Sequence, residues 1–86
     1  MYDTSDMSVN LLNLKVIVAN QLGLEISQVL AKSKFVDELN ADSLDVIEIV
    51  ITCEYDFDIS IKDNYASKIE TIEDILNYIE MLNELD

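Results

Sequence analysis

No proline occurs in these 86 residues, and a single glycine does, Gly23. A β architecture with several tight turns needs Gly, Pro and Asn-Gly punctuation at those turns. A chain with almost none of it is expected to be all-α. Half of its residues are apolar, and a domain of this size can bury about 60–65% of the surface its unfolded chain exposes. Residues 1–86 are therefore expected to form one small helical domain, with no room for a second.

Apolar periodicity divides the chain into four helical segments. Leu11, Leu14, Val18 and Leu22 recur at three- and four-residue steps with Ile17 beside them, which predicts a first helix from Val9 to Leu22. Ser8 is its expected N-cap and Gly23 its left-handed C-cap. A long first loop follows, from Leu24 to Asp42, with Phe35 and Leu39 expected to pin it to the core. The second helix is expected over Ser43 to Phe57 with Asp42 as N-cap, and a short third over Asp63 to Ser67. The fourth runs from Ile72 to Leu82 on a stripe of Ile72, Ile75, Leu76, Ile79 and Leu82. Thr71 caps it, with Asp74 placed as the return carboxylate of a capping box. Residues 1–7 and 83–86 are expected to be frayed. The fold class that results is a small four-helix bundle with a long first loop and a short third helix.

The second helix has two apolar faces. At about 100° per residue, Val46, Ile49, Val50, Cys53 and Phe57 cluster on one side, an ordinary core stripe. Leu44, Ile47 and Ile51 fall opposite, with Glu48, Glu54, Tyr55 and Asp58 around them and Asp45, Thr52 and Asp56 along the border. A peripheral helix of a small bundle buries one face. The second stripe either covers part of the long loop or is a docking surface, apolar residues rimmed by acids. From Phe35 to Ile61 there are eight acidic residues and no basic one.

Charge and residue inventory exclude much else. Eighteen Asp and Glu face five Lys, for a net charge of −13. That opposes binding to nucleic acid phosphates or anionic membrane surfaces and favours partners with basic patches. Without histidine, and with Cys53 alone, neither a Ser–His or Cys–His pair nor a structural zinc site can be built, and no disulfide can close within the chain. No metal site is expected. Asp56, Asp58 and Ser60 alternate like the first ligands of a calcium loop, but Ile61 stands where its glycine belongs and Ser67 where its final glutamate belongs. No apolar run reaches membrane-span length, and residues 1–6 lack the features of a signal peptide. The cytosol, or an organelle interior after import, is the expected compartment.

Ser43 opens the second helix, where a phosphate on its hydroxyl would meet unpaired backbone N–H groups and the positive end of the helix dipole. It can equally be a second capping residue. Around it stand Ala41-Asp42-Ser43-Leu44-Asp45, preceded by Phe35-Val36-Asp37-Glu38-Leu39, with Gln21-Leu22-Gly23-Leu24 upstream and Ile69 to Ile72 and Tyr78-Ile79 downstream. In this order and spacing, ungapped from Ser8 to Ile79, the sequence resembles the acyl carrier proteins.

The resemblance implies a carrier and not an enzyme. A phosphopantetheinyl transferase would move 4′-phosphopantetheine from coenzyme A onto Ser43, and acyl chains would ride as thioesters on the thiol of that arm. It implies that Leu44, Asp45, Ile47, Glu48, Ile51, Glu54 and Asp56 dock on basic patches of the transferase, acyltransferases and fatty acid synthase enzymes. A monomer is expected. Four departures from the family pattern stand out. Asn40 replaces a common glycine, though Asn tolerates a left-handed backbone. Lys62 replaces a common proline. The third helix has Asn64, Tyr65 and Ser67 in place of most of the usual glutamates. Cys53 replaces a larger apolar residue, reads as a buried core thiol, and leaves slack in a family that can fold its acyl chain into the bundle interior. The alternatives are a specialised carrier of aminoacyl, peptidyl or polyketide intermediates, and an interaction module of the same fold without a working arm.

Overall fold

Four α-helices and one 3-10 turn make up the computed structural model, which describes residues 7–84 and the side chains of residues 9–82. α1 is Met7–Leu22, α2 Ser43–Phe57, α3 Asp63–Ala66 and α4 Ile72–Glu84. No strand occurs among the described residues. The first helix begins at Met7, so Ser8 lies within its first turn and is not the N-cap. The last continues through Asn83 and Glu84, where fraying was expected. Both misplacements have one cause: the apolar periodicity stops before the backbone pattern does, and helix ends are weakly encoded. α3 stops at Ala66, with Ser67 as its C-cap. Residues 1–6, also expected to be frayed, lie outside the described residues.

Local chemistry closes each element. Gly23 has φ +68°, and the Leu24 N–H donates to the Ala19 carbonyl at 2.9 Å, the six-to-one bond that ends a helix on a left-handed residue. Asp58 does the same for α2 at φ +54°, with Ile59 N–H donating to Glu54 O at 3.0 Å. At α4 the expected box is formed: Asp74 N–H donates to Thr71 Oγ1 at 3.2 Å, and Thr71 N–H to Asp74 Oδ2 at 3.1 Å.

α1 packs against α2 and α4. Leu14 and Val18 from α1, Ile49 and Cys53 from α2, and Ile72, Ile75 and Ile79 from α4 are buried together, while Val46 of the predicted core stripe is half-buried. The long loop is part of this core. Phe35 is 1% exposed, Leu39 packs against the core, and Val29, not foreseen from the sequence, is fully buried after a 3-10 turn at Ile26–Gln28. Two backbone bonds fasten the loop to the approach to α4: Phe35 N–H donates to Glu70 O at 2.9 Å, and Glu73 N–H to Ala31 O at 3.0 Å.

α1 contains no acidic residue and one lysine, Lys15, so the carboxylates of the described residues crowd onto the other elements and the loops. Their self-repulsion opposes compaction. Moderate sodium chloride, or millimolar magnesium, is expected to raise the melting temperature by about 4–8 °C for each kcal/mol of repulsion it screens. Thermal circular dichroism at low and moderate salt checks this, and a flat or falling melting temperature would refute it.

Candidate functional site

The backbone between Phe35 and Ser43 delivers one serine to the surface. Asn40 takes a left-handed conformation, φ +60°, so the turn survives without the glycine. Ala41 is buried, and its N–H donates to the Phe35 carbonyl at 2.8 Å. Asp42 then turns extended and caps α2: its Oδ1 accepts from Asp45 N–H at 2.8 Å, and Asp45 Oδ2 accepts from Asp42 N–H at 3.1 Å. This reciprocal pair completes the cap without Ser43. Ser43 is the first helical residue, exposed, and no hydrogen bond joins its hydroxyl to another described residue. The N–H groups of Ser43 and Leu44 face the same way, at the positive end of the helix dipole.

The second apolar stripe of α2 is uncovered. Leu44, Ile47 and Ile51 are each more than half exposed, and Tyr55 is 86% exposed. The alternative in which this stripe covers the long loop is therefore removed. Glu48 and Asp56 are exposed, while Asp45 and Glu54 are half-buried and already hydrogen-bonded within the protein. Gln21, at the end of α1, donates its side-chain amide to Asp45 Oδ1 at 3.3 Å and to Glu48 Oε2. A carboxylate has about four lone-pair sites, so these acids keep acceptor capacity for a partner. Neither the Gln21 bridge, across 24 and 27 residues of sequence, nor the Glu54 bond to the Ile61 N–H was signalled by any local pattern.

Beside the stripe lies a half-open cavity of about 710 Å³, within the ~300–1,000 Å³ range of small-molecule sites. Ser43 stands at one end of its floor, which continues along α2 through Val46, Ile47, Val50 and Ile51 to Glu54. At ~1.5 Å per residue that floor is about 16 Å long. Ile61, Ala66 and Ile69 supply further apolar lining from beyond α2, and Val36 supplies it from the long loop. Cys53 is not among the lining residues. The slack expected beside it is not where the space is, because Cys53 points into the closed core.

Burial pushes the Cys53 thiol up to about 12, with the charges of Asp56 and Glu54 adding to the shift. Its thiolate fraction is then about a thousandfold below that of an ordinary thiol of pKa 9.0. Iodoacetamide at pH 8 is expected to label Cys53 only after unfolding. The sign for stability follows: the folded thiol holds its proton more tightly than the unfolded one. Its contribution is intact below pH 9 and declines as pH rises from 9 towards 12. Mass spectrometry of labelled native and denatured protein, with Cys53→Ser as blank, checks the first claim.

The family model described as "Phosphopantetheine attachment site" matches residues 13–79. An acyl carrier protein of a Cylindrotheca species is 50% identical over 74 residues, covering 86% of this chain and 92% of that one. The chain belongs to the acyl carrier protein family. A Phaeodactylum tricornutum acyl carrier protein is 47% identical over 74 residues, covering 86% of this chain and 97% of the relative, and one from Clostridium acetobutylicum is 40% identical over 70 residues, covering 81% and 91%. Among solved structures, an acyl carrier protein from Enterococcus faecalis, described for its high thermal stability, superposes with a TM-score of 0.71 at 36% identity, covering 85% of this chain and 92% of that one.

Phosphopantetheine is the group this acyl carrier family attaches. The residues present fit it: an exposed serine hydroxyl without a competing hydrogen bond, two backbone N–H groups beside it, and an apolar cavity that starts at the same residue. No helix among the described residues is long and apolar enough to cross a membrane, and no group of three or more metal-ligating side chains occurs among them.

Proposed function

We propose that Ser43 is the phosphopantetheine attachment residue and that this acyl carrier protein holds growing acyl chains as thioesters for the enzymes of fatty acid synthesis, in the cytosol or an organelle interior. One observation supports this above the others: Asp42 and Asp45 cap α2 between them, so that Ser43 stands at the helix start with its hydroxyl uncommitted. When attached, the arm supplies the thiol on which chains are carried. The chain's own residues do the rest. The N–H groups of Ser43 and Leu44 favour a negative phosphodiester at the helix start. The cavity along α2 shelters the apolar chain, at ~0.8 kcal/mol for each methylene removed from water.

Leu44, Asp45, Ile47, Glu48, Ile51, Glu54 and Asp56 are the proposed docking face for a basic patch on the partner enzymes. Exposed aliphatics give the contact area there, and the acids steer the approach. Glu48→Lys is expected to slow association with a phosphopantetheinyl transferase about tenfold or more at low salt, with the difference shrinking as salt rises. Stopped-flow or surface-based association rates across a salt series check it. Equal rates at low salt would remove Glu48 from the docking face.

The function itself is tested by intact mass after incubation with coenzyme A, magnesium and a broad-specificity phosphopantetheinyl transferase. A gain of one phosphopantetheine is expected. No gain would leave an acidic bundle with an apolar docking face and point to the interaction-module reading.

A further inference from the structure

The α2–α3 connection, residues 58–62, holds one wall of the cavity, and α3 itself is a single turn of four residues. A turn that short does not sustain itself, so the position of this wall depends on what ties it down. One tie runs to α4: the Tyr78 hydroxyl donates to the Ser60 carbonyl at 3.0 Å, and its ring lies 4.4 Å from that of Tyr65. Beyond the C-cap bonds of Asp58 to Glu54 and Tyr55, the other ties to α2 run to Glu54. Ile59 N–H donates to the Glu54 carbonyl at 3.0 Å, and Ile61 N–H donates to Glu54 Oε2 at 2.8 Å. Glu54 and Ile61 both line the cavity, the Ile61 side chain is buried in its wall, and Tyr78 does not line it. Glu54 lies three turns along α2 from Ser43, so the Glu54–Ile61 hydrogen bond sits at the end of the α2 floor away from the serine.

We infer that Glu54 is a positioning residue for the carried chain: its carboxylate latches the Ile61 wall at the far end of the cavity and so sets how long a chain the protein can enclose. The inference rests on the reading of this cavity as the acyl-chain site. A chain that fits along the α2 floor leaves the latch closed and is shielded from solvent. A longer one must break the hydrogen bond, displace Ile61, or leave its thioester end exposed. A charge-assisted bond in a half-buried place is strong enough to impose such a limit, and one accepting oxygen suffices to make it.

The test uses the whole protein, loaded with butanoyl, octanoyl, decanoyl and tetradecanoyl arms from the corresponding acyl-coenzyme A by the transferase. The thioesters are then cleaved with hydroxylamine, whose nitrogen takes the acyl carbonyl as a hydroxamate and releases the arm's thiol. No partner enzyme takes part in the readout, so any docking role of Glu54 does not enter. In the wild type, cleavage is expected to slow about tenfold between butanoyl and the best-sheltered chain, then to quicken again for the longest. In Glu54→Ala the minimum is expected to become shallow or to shift towards longer chains, while Glu54→Gln, whose amide oxygen can accept the same bond, restores the wild-type profile. In the unloaded protein, Ile61 amide hydrogen exchange is expected to quicken about tenfold in Glu54→Ala and to stay near wild type in Glu54→Gln. A merely stabilising role would scale all chain lengths alike. If Glu54→Ala does not fold, Glu54→Asp, one methylene shorter, takes its place. A wild-type profile that does not vary with chain length overturns the cavity reading and the inference with it. A wild-type minimum left unmoved in Glu54→Ala, or a Glu54→Gln profile like that of alanine, overturns the latch alone.

Discussion

Ser43→Ala is expected to abolish the gain of phosphopantetheine completely while leaving the fold untouched. Removing the oxygen removes the only atom of that side chain to which a phosphodiester could be made. The structural cost should be small, within about 0.5 kcal/mol, because the hydroxyl makes no hydrogen bond to another described residue and alanine is the best helix former. The cap it would have threatened belongs to its neighbours: Asp42→Ala, which removes one half of the reciprocal pair with Asp45, is expected to cost about 0.5–2 kcal/mol. Intact mass and thermal circular dichroism on the two variants separate chemistry from architecture. A marked loss of helicity in Ser43→Ala would show that the serine is chiefly structural, and residual modification would place the attachment elsewhere.

Phe35→Ala is expected to have the largest effect on stability. The ring is 1% exposed, and the residue is held on both sides of its backbone, by Glu70 O and by Ala41 N–H. Deleting such a ring typically costs about 3–5 kcal/mol, a large share of the roughly 4–13 kcal/mol that an 86-residue domain has. The melting temperature should fall by at least about 12 °C. Phe35→Leu should recover most of the loss. The consequence reaches the site, because the turn that presents Ser43 hangs from this anchor through Ala41. Attachment of the arm to Phe35→Ala should slow at temperatures where wild type is fully modified and recover on cooling. A melting temperature within a few degrees of wild type would show that the loop is held elsewhere.

What the sequence showed, and what it hid, follows the range of the interactions. α2 was legible from Ser43 to Phe57 because its apolar spacing, its N-cap Asp42 and its acid-rimmed second stripe are all local patterns. The Thr71–Asp74 box was legible for the same reason. The Asp42–Asp45 pair is less legible, although only three residues apart, because the usual capping-box signature has Ser or Thr followed by Glu or Gln and here both members are Asp. Ser8 misled because a serine before an apolar run is a common N-cap, yet here the helix had already begun at Met7. The cavity was invisible in advance, since its walls bring together Val36, α2, Ile61 and Ile69, residues whose facing is decided by packing and not by spacing. Glu54 shows the limit most sharply. On the helical wheel it is one more acid beside the second apolar stripe. In the structure its carboxylate accepts from a backbone N–H seven residues on, and the two facts are independent.

The acid-free first helix has a consequence for how the protein travels. Lys15 is the only charged residue of α1, so the carboxylates of the described residues all lie on the other elements and the loops, and their centre of negative charge is displaced away from α1. In the field of a basic enzyme surface such a molecule feels a torque as well as a pull. With the docking face proposed for α2, it would rotate on approach so that α2 leads and α1 trails before any side chains touch. Such a carrier would arrive pre-aimed, and the search left at contact would be a short slide across the patch in place of a tumbling trial of every face.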